Sequence, residues 1–322
     1  MSHTHKYFHA NFTFFFHYRV CKKWNECTKC PALWKKVDIK LFRYISFRNK
    51  SASLFFKNLP SSVSYMKLDF EYCIWRERLN FEDFCVMLRK NCPHLHTLIL
   101  HRALISVSIS SLIDLCSVFL PNLKALILPE SVFGNDCKER KYGRLRKMEV
   151  LDISDCLGIQ GLSKCSLSKM NYLKKLNLSG TFETDNWFNI DDISFLRQLE
   201  FLHLGKTDIS LKSFRMLQNH AVNLTELFLC ATRLEDSDFI INNSVFPHLK
   251  TICLRHCRRV TCEGIISLVQ ACQSLQNIYV DRGTVENYAK HPFIIANVTK
   301  LGIVKAAYNC IDHYEKLDYL LD

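Results

Sequence analysis

The chain has 322 residues and carries 43 Lys plus Arg against 31 Asp plus Glu, a formal net charge of +12. With 48% apolar and 23% charged residues it matches the globular average, which excludes a mainly disordered or collagen-like chain. Only 9 Gly and 7 Pro are present, too few for a nucleotide enzyme built on several glycine-rich loops.

Sixteen cysteines in this length are too dilute for a secreted disulfide scaffold. Residues 1–19 form an atypical segment rich in His and Phe, with one apolar run from Phe12 to Phe16 that Thr13 breaks. A signal peptide needs about 7–15 apolar residues and a membrane span about 20. We therefore read the chain as intracellular, cytoplasmic and/or nuclear, with reduced thiols and no membrane association.

Residues 20–45 are dense in Lys and hold two tryptophans, Trp24 and Trp34. From Val63 onward the pattern L-x-x-L-x-L, with Ile, Val or Met allowed for Leu, recurs. It begins at Val63, Leu95, Leu123, Met148, Leu173, Leu199, Leu224, Leu249, Leu275 and, more weakly, Val298. The spacings are 32, 28, 25, 25, 26, 25, 25, 26 and 23 residues, within the period of leucine-rich repeats. The ninth position of the unit must be small, and it reads Ala103, Ser131, Cys156, Thr181, Thr207, Thr232 and Cys257.

Between these strand motifs the apolar period changes from 2 to 3.6, which marks helices. Phe81, Phe84, Leu88 and Cys92 form one such face; Leu211, Phe214, Leu217 and Ala221 a second; Ile265, Leu268, Cys272 and Leu275 a third. Thr261 is the expected N-cap of the last helix, with Glu263 in its first turn. Asp191 and Asp192 read as capping charges at another helix start. One unit cannot bury its own apolar face, so neighbours must stack. The fold class that follows is α/β: a leucine-rich-repeat solenoid of about ten repeats over residues 46–322, a horseshoe with parallel strands concave and helices convex. Cys156 and Cys257 fall at ninth positions and Cys85, Cys92 and Cys272 on buried helix faces, where free Cys acts as a small hydrophobe.

The segment before the repeats carries Val20, Cys21, Lys22 and Trp24, then Pro31, Leu33, Trp34, Val37 and Ile39. This resembles the second half of an F-box, a V-C-(K/R)-x-W motif followed by L-W-x-x-(V/I). Placed before cysteine-containing repeats, it makes the chain similar to the F-box/leucine-rich-repeat family. The resemblance implies a small helical partial F-box at residues 20–45. It also implies a non-catalytic subunit that selects substrates for an SCF-type (Skp-cullin-F-box) ubiquitin ligase, for ubiquitination and proteasomal degradation. Val20, Trp24, Leu33 and Trp34 would contact the Skp adaptor, and through it the cullin/RING module. The substrate protein would be held near the transfer enzyme, so proximity does the work and no side chain of this chain reacts. The family's opening L-P-x-E/D helix has no counterpart before Val20, and a second reading therefore stands beside the first: a leucine-rich-repeat binding scaffold without a ligase link.

In L-x-x-L-x-L the first, fourth and sixth positions point into the core, so the third and fifth point out from the sheet. Those outward positions include Ile99, Ile127, Phe201, His203, Phe228 and Tyr279. Large apolar groups exposed together mark a binding surface, so these residues are the expected substrate contacts, and replacing Phe201 and Phe228 by Ala should leave folding intact. The basic loop from Lys138 to Lys147 and the lysines of residues 20–40 point to an acidic protein partner. Without aromatic residues interleaved among the basic ones, they do not point to nucleic acid. Cys27-x-x-Cys30 lacks the second ligand pair that a structural zinc site needs, so neither a metal nor a cofactor is expected. No sequence motif of an enzyme occurs.

Overall fold

The computed structural model describes residues 34–40, 59–70, 78–135, 147–159, 167, 170–181, 194–239, 245–281 and 304–306. It divides into two compact units, residues 1–147 with 156–161, and residues 148–155 with 162–322. In the first, β1 (Lys36–Lys40), β2 (Tyr65–Asp69), β3 (Thr97–His101) and β4 (Ala125–Ile127) lie side by side in chain order, all parallel. Helix α1 (Phe81–Asn91) joins β2 to β3, and α2 (Ile109–Phe119) joins β3 to β4.

The second unit repeats the plan. Its strands are β5 (Val150–Asp152), β6 (Lys175–Asn177), β7 (Phe201–His203), β8 (Glu226–Phe228), β9 (Thr251–Cys253), β10 (Asn277–Val280) and β11 (Val304–Ala306). Each pairs in parallel with the next. Between strands lie α3 (Leu211–His220), α4 (Cys262–Ala271) and two short 3-10 turns, Ser194–Gln198 and Asp236–Phe239. Both units are leucine-rich-repeat solenoid.

The motif positions account for the core. Leu95, Leu98 and Leu100 are at most 1% exposed, and their equivalents from Leu123 to Ile278 at most 5%. Like positions face each other across strands, Leu98 opposite Met66 and Leu126, and Leu227 opposite Leu202 and Ile252. In the second unit, Phe214 meets Phe239 edge-on at 5.5 Å, a geometry aromatic pairs favour, and Phe246 at a tilt at 6.3 Å.

Helix starts follow the local chemistry. Asn80, Ser108, Ser210 and Thr261 are N-caps whose side-chain oxygens accept from the amides of Asp83, Ser111, Ser213 and Glu263. Each helix ends on a residue whose amide still reaches back four residues, Cys92 to Leu88 and Cys272 to Leu268 among them. Burial pushes both thiols up to about 12. Of the predicted helix faces only Leu211 is misplaced: it opens α3 and is 39% exposed.

Two turn features recur after the seven strands β3 to β9. The eighth position is left-handed at Arg102, Glu130, Asp155, Gly180, Lys206, Ala231 and His256, with φ between 50° and 66°. Only one of these seven is glycine, although L-residues pay about 1–2 kcal/mol there. The ninth-position side chain then ties down a carbonyl of the sixth position. Thr181, Thr207 and Thr232 donate to Leu178, Leu204 and Leu229 of their own repeat. Ser131, Cys156 and Cys257 donate to Leu100, Leu128 and Leu229 of the repeat before.

Two assignments from the sequence change. Lys36–Lys40, placed within the F-box segment, pair with β2, and Val37 faces Met66. Trp34, Val37 and Ile39 are therefore the first, fourth and sixth positions of an additional repeat, because L-W-x-x-V also satisfies L-x-x-L. At the other end, Ile278 faces Val304, which moves the last motif from Val298 to Leu301. The predicted capping pair Asp191 and Asp192 lies outside the described residues.

Candidate functional site

The strand face formed by the third, fifth and seventh positions is the candidate site, and each unit carries its own part of it. The structure corrects the premise on which its residues were chosen. In the first unit Ile99 and Ile127 are fully buried, and in the second Phe201 is 4% exposed and Phe228 not at all. Strand alternation does send them to this face. Parallel stacking, however, brings equal positions of successive repeats side by side, so a large side chain is walled in by its neighbours.

Ile99 stands in register between Lys67 and Ile127. Phe228 stands between His203 and Cys253. Its ring centroid lies 5.4 Å from both Phe201 and His203. Within each unit these apolar groups form a lateral seam. His203 and Tyr279 are half-buried and do reach the surface, together with Lys175, Asn177, Glu226, Thr251 and Asn277 on the same face.

In the second unit a polar ladder continues the Phe201–Phe228 seam. Asn177 donates through Nδ2 to Asp152 Oδ2 at 3.2 Å, and its Oδ1 lies 3.0 Å from His203 Nδ1. Asp152 accepts from the Ser154 amide at 2.8 Å. Burial pushes the Asp152 carboxyl up to about 6, against the opposing pull of its hydrogen bonds from Ser154 and Asn177. The ladder fixes the Asn177 amide and the His203 ring, leaving a preset polar surface beside the aromatic seam.

At the strand ends of the first unit a charged cluster forms. Arg102 Nη2 reaches both Asp69 oxygens at 3.2 and 3.3 Å, and His101 lies 3.5 Å from Asp69 and 3.1 Å from Glu130. Burial alone would lower the His101 pKa, but the hydrogen bonds to Asp69 and Glu130 outweigh it and raise the net value. In the second unit Asp281 takes the matching role, accepting from the His256 amide at 2.7 Å with Arg255 at 3.7 Å.

No family model matches the chain, and no curated protein matches it in sequence. Among solved structures it is similar to a chain of the mouse RP105/MD-1 complex, at 18% identity over 80% of this chain and 41% of that one, with a TM-score of 0.48. It is also similar to a chain of the TLR13–ssRNA13 complex, at 18% identity over 78% of this chain and 29% of that one, TM-score 0.44. The leucine-rich-repeat protein LegL7 from Legionella pneumophila gives 15% identity over 82% of this chain and 89% of that one, TM-score 0.43. The chain spans less than half the length of the first two.

Of the predicted adaptor contacts, Val20, Trp24 and Leu33 lie outside the described residues, as do Cys27 and Cys30. Trp34 stands two residues before β1. Among the described residues no group of three or more His, Cys, Asp or Glu could hold a metal, and no helix is long and apolar enough to cross a membrane. The polar ladder Asp152–Asn177–His203 escaped sequence reasoning. Its signal was the run of three hydrogen-bonding residues at successive fifth positions.

Proposed function

We propose that this chain is a protein-binding module that engages its partner through the strand face of the second unit, at the half-buried His203 and Tyr279 and the polar residues Lys175, Asn177 and Glu226. The carrying observation is the preset Asp152–Asn177–His203 ladder beside the Phe201–Phe228 seam. It offers oriented hydrogen-bond donors and acceptors next to rigid apolar support, the composition from which interface hot spots are built. Phe201 and Phe228 support the surface and do not themselves touch a partner.

The finer reading is substrate selection for an SCF-type ubiquitin ligase, with the Skp adaptor bound near Val20 and Trp24 and an acidic protein as substrate. It is supported by the V-C-K-x-W sequence at residues 20–24 ahead of cysteine-containing repeats. The scaffold reading without a ligase link is favoured by a separate observation: Val37 and Ile39, two of the nine residues that carry the F-box resemblance, are spent on the sheet, and Trp34 leads into it. Co-purification of the full chain with the Skp adaptor separates the two. Retention that Trp24→Ala abolishes supports the ligase reading, and no retention leaves the scaffold. Partner capture that survives His203→Ala combined with Tyr279→Ala would overturn the proposed face.

A further inference from the structure

The sulfurs of Cys230 and Cys253 lie 3.1 Å apart. Cys253 is the fifth-position residue of β9, and Cys230 the seventh-position residue in the turn after β8. Phe228 faces Cys253 in register, so the thiols stand diagonally on one face. The left-handed Ala231 turns the chain immediately after Cys230. A disulfide bond is about 2.05 Å long, so closure asks for an approach of about 1 Å between sulfurs that already touch. Cys253 is fully buried, whereas Cys230 is half-buried and open to a small reagent. The chain holds a useful contrast in Cys85, which is hydrogen-bonded to Cys116 while both are fully buried in the first unit. No reagent reaches that pair in the folded protein.

We propose that Cys230 and Cys253 are a redox-active dithiol, a modification site that a low-molecular-weight disulfide converts into an intramolecular disulfide. The Cys230 thiolate attacks one sulfur of the external disulfide, forming a mixed disulfide and releasing one small thiolate. The Cys253 thiolate then attacks the Cys230 sulfur, closing the protein disulfide and releasing the second small thiolate. The two cysteines lose two electrons and two protons, and the external disulfide gains them as two thiols. Access sets the order, since only Cys230 is reachable first. The closed bond ties the turn of one repeat to the strand of the next, beside Phe228 and His203. The inference does not depend on the protein-binding proposal.

The test uses the reduced full chain in a graded series of oxidised to reduced glutathione, quenched, alkylated and mapped by non-reducing digestion. The expected result is a linked Cys230–Cys253 peptide pair, half formed at a ratio about tenfold lower than any link to Cys85 or Cys116, and fully reversed by dithiothreitol. Cys230→Ser removes the link, and Cys253→Ala leaves a glutathione adduct on Cys230. Phenylarsine oxide, which needs two adjacent thiols, should be retained one-to-one by wild type in excess mercaptoethanol and lost from Cys230→Ser. That variant changes a half-exposed turn residue and keeps the fold. A glutathione adduct persisting on wild-type Cys230 without closure, a pair that stays reduced across the series, or links scattered without preference for this pair would each overturn the proposal.

Discussion

Thr207 Oγ1 donates a 2.6 Å hydrogen bond to the carbonyl of Leu204, three residues earlier in its own repeat. Cys257, at the same motif position, instead reaches 3.0 Å to Leu229 of the repeat before. The β-branched threonines close their own turn, whereas the unbranched Ser131, Cys156 and Cys257 bridge to the repeat before. Thr207→Val keeps the shape and deletes the donor at a buried site, so it should cost about 1–2 kcal/mol in urea denaturation. Thr207→Ser, which keeps the donor, should cost less than half of that.

The left-handed eighth position offers an opposite experiment. Ala231 adopts φ 55° with no polar side chain to compensate. Ala231→Gly should therefore stabilise the second unit by about 0.5–1 kcal/mol, the conformational relief less the entropy glycine adds to the unfolded chain. Gly180→Ala should destabilise, since φ is 66° and the new Cβ would run into the Asp155 carboxylate. A midpoint that rises for Gly180→Ala would contradict this account.

Phe228 and Tyr279 occupy the same motif position and should respond differently. Phe228→Ala empties a fully buried site and should cost about 3–5 kcal/mol. The half-exposed Tyr279→Ala should cost well under half as much. Chemical denaturation of the two variants separates a supporting residue from a surface one before any partner is added.

The pH dependence has a defined sign at His101. Its folded pKa is raised by Asp69 and Glu130, so the folded chain binds the proton more tightly than the unfolded one. The stabilisation is fully present below the unfolded value of about 6.5 and is lost as pH rises through the folded value. Denaturation at pH 6 and pH 8.5 should show this fall in wild type and its absence in His101→Gln.

Asp152 acts in a lower window and in the same direction. Burial raises its carboxyl from 3.8 to about 6, so the folded chain holds a proton there that the unfolded chain has released. Wild-type stability relative to Asp152→Asn should therefore fall by about 3 kcal/mol as pH rises from about 4 to about 6, then level off. A difference that grows with pH across that window would show the carboxylate to be stabilised and not desolvated.

The repeat frame was legible because the first, fourth and sixth positions recur with a fixed period and must all be apolar. The same economy misled at Trp34, Val37 and Ile39, where one pattern serves two motifs, and at Val298, where Leu301 offers a competing start. The exposure of Phe201 and Phe228 was misjudged because alternation within one strand says nothing about crowding from the strands on either side. Also invisible was a ladder just before each motif: Asn122 donates to the Pro93 carbonyl, Asn223 to Arg197 and Ser274 to Pro247, each two residues before the preceding motif. Its members differ in type and gain meaning only once repeats are stacked.

At the entry to eight of the strands, β2 to β4 and β6 to β10, a single oxygen serves two donors. The Glu200 carbonyl accepts from the amides of both Thr225 and Glu226, and the Lys250 carbonyl from Gln276 and Asn277. That shared acceptor locks the frame of each strand to the one before it, so adding or deleting one residue between this point and the ninth position would misalign every later rung. The connecting segments are tied by individual bonds, such as Asn223 to the Arg197 carbonyl and the Thr261 amide to Asp236, which a change of length elsewhere in the same segment can leave in place. Length change is therefore best accommodated in those segments or as whole repeats, which agrees with motif spacings that range from 25 to 32 residues once the last motif starts at Leu301, while the motif itself keeps its length.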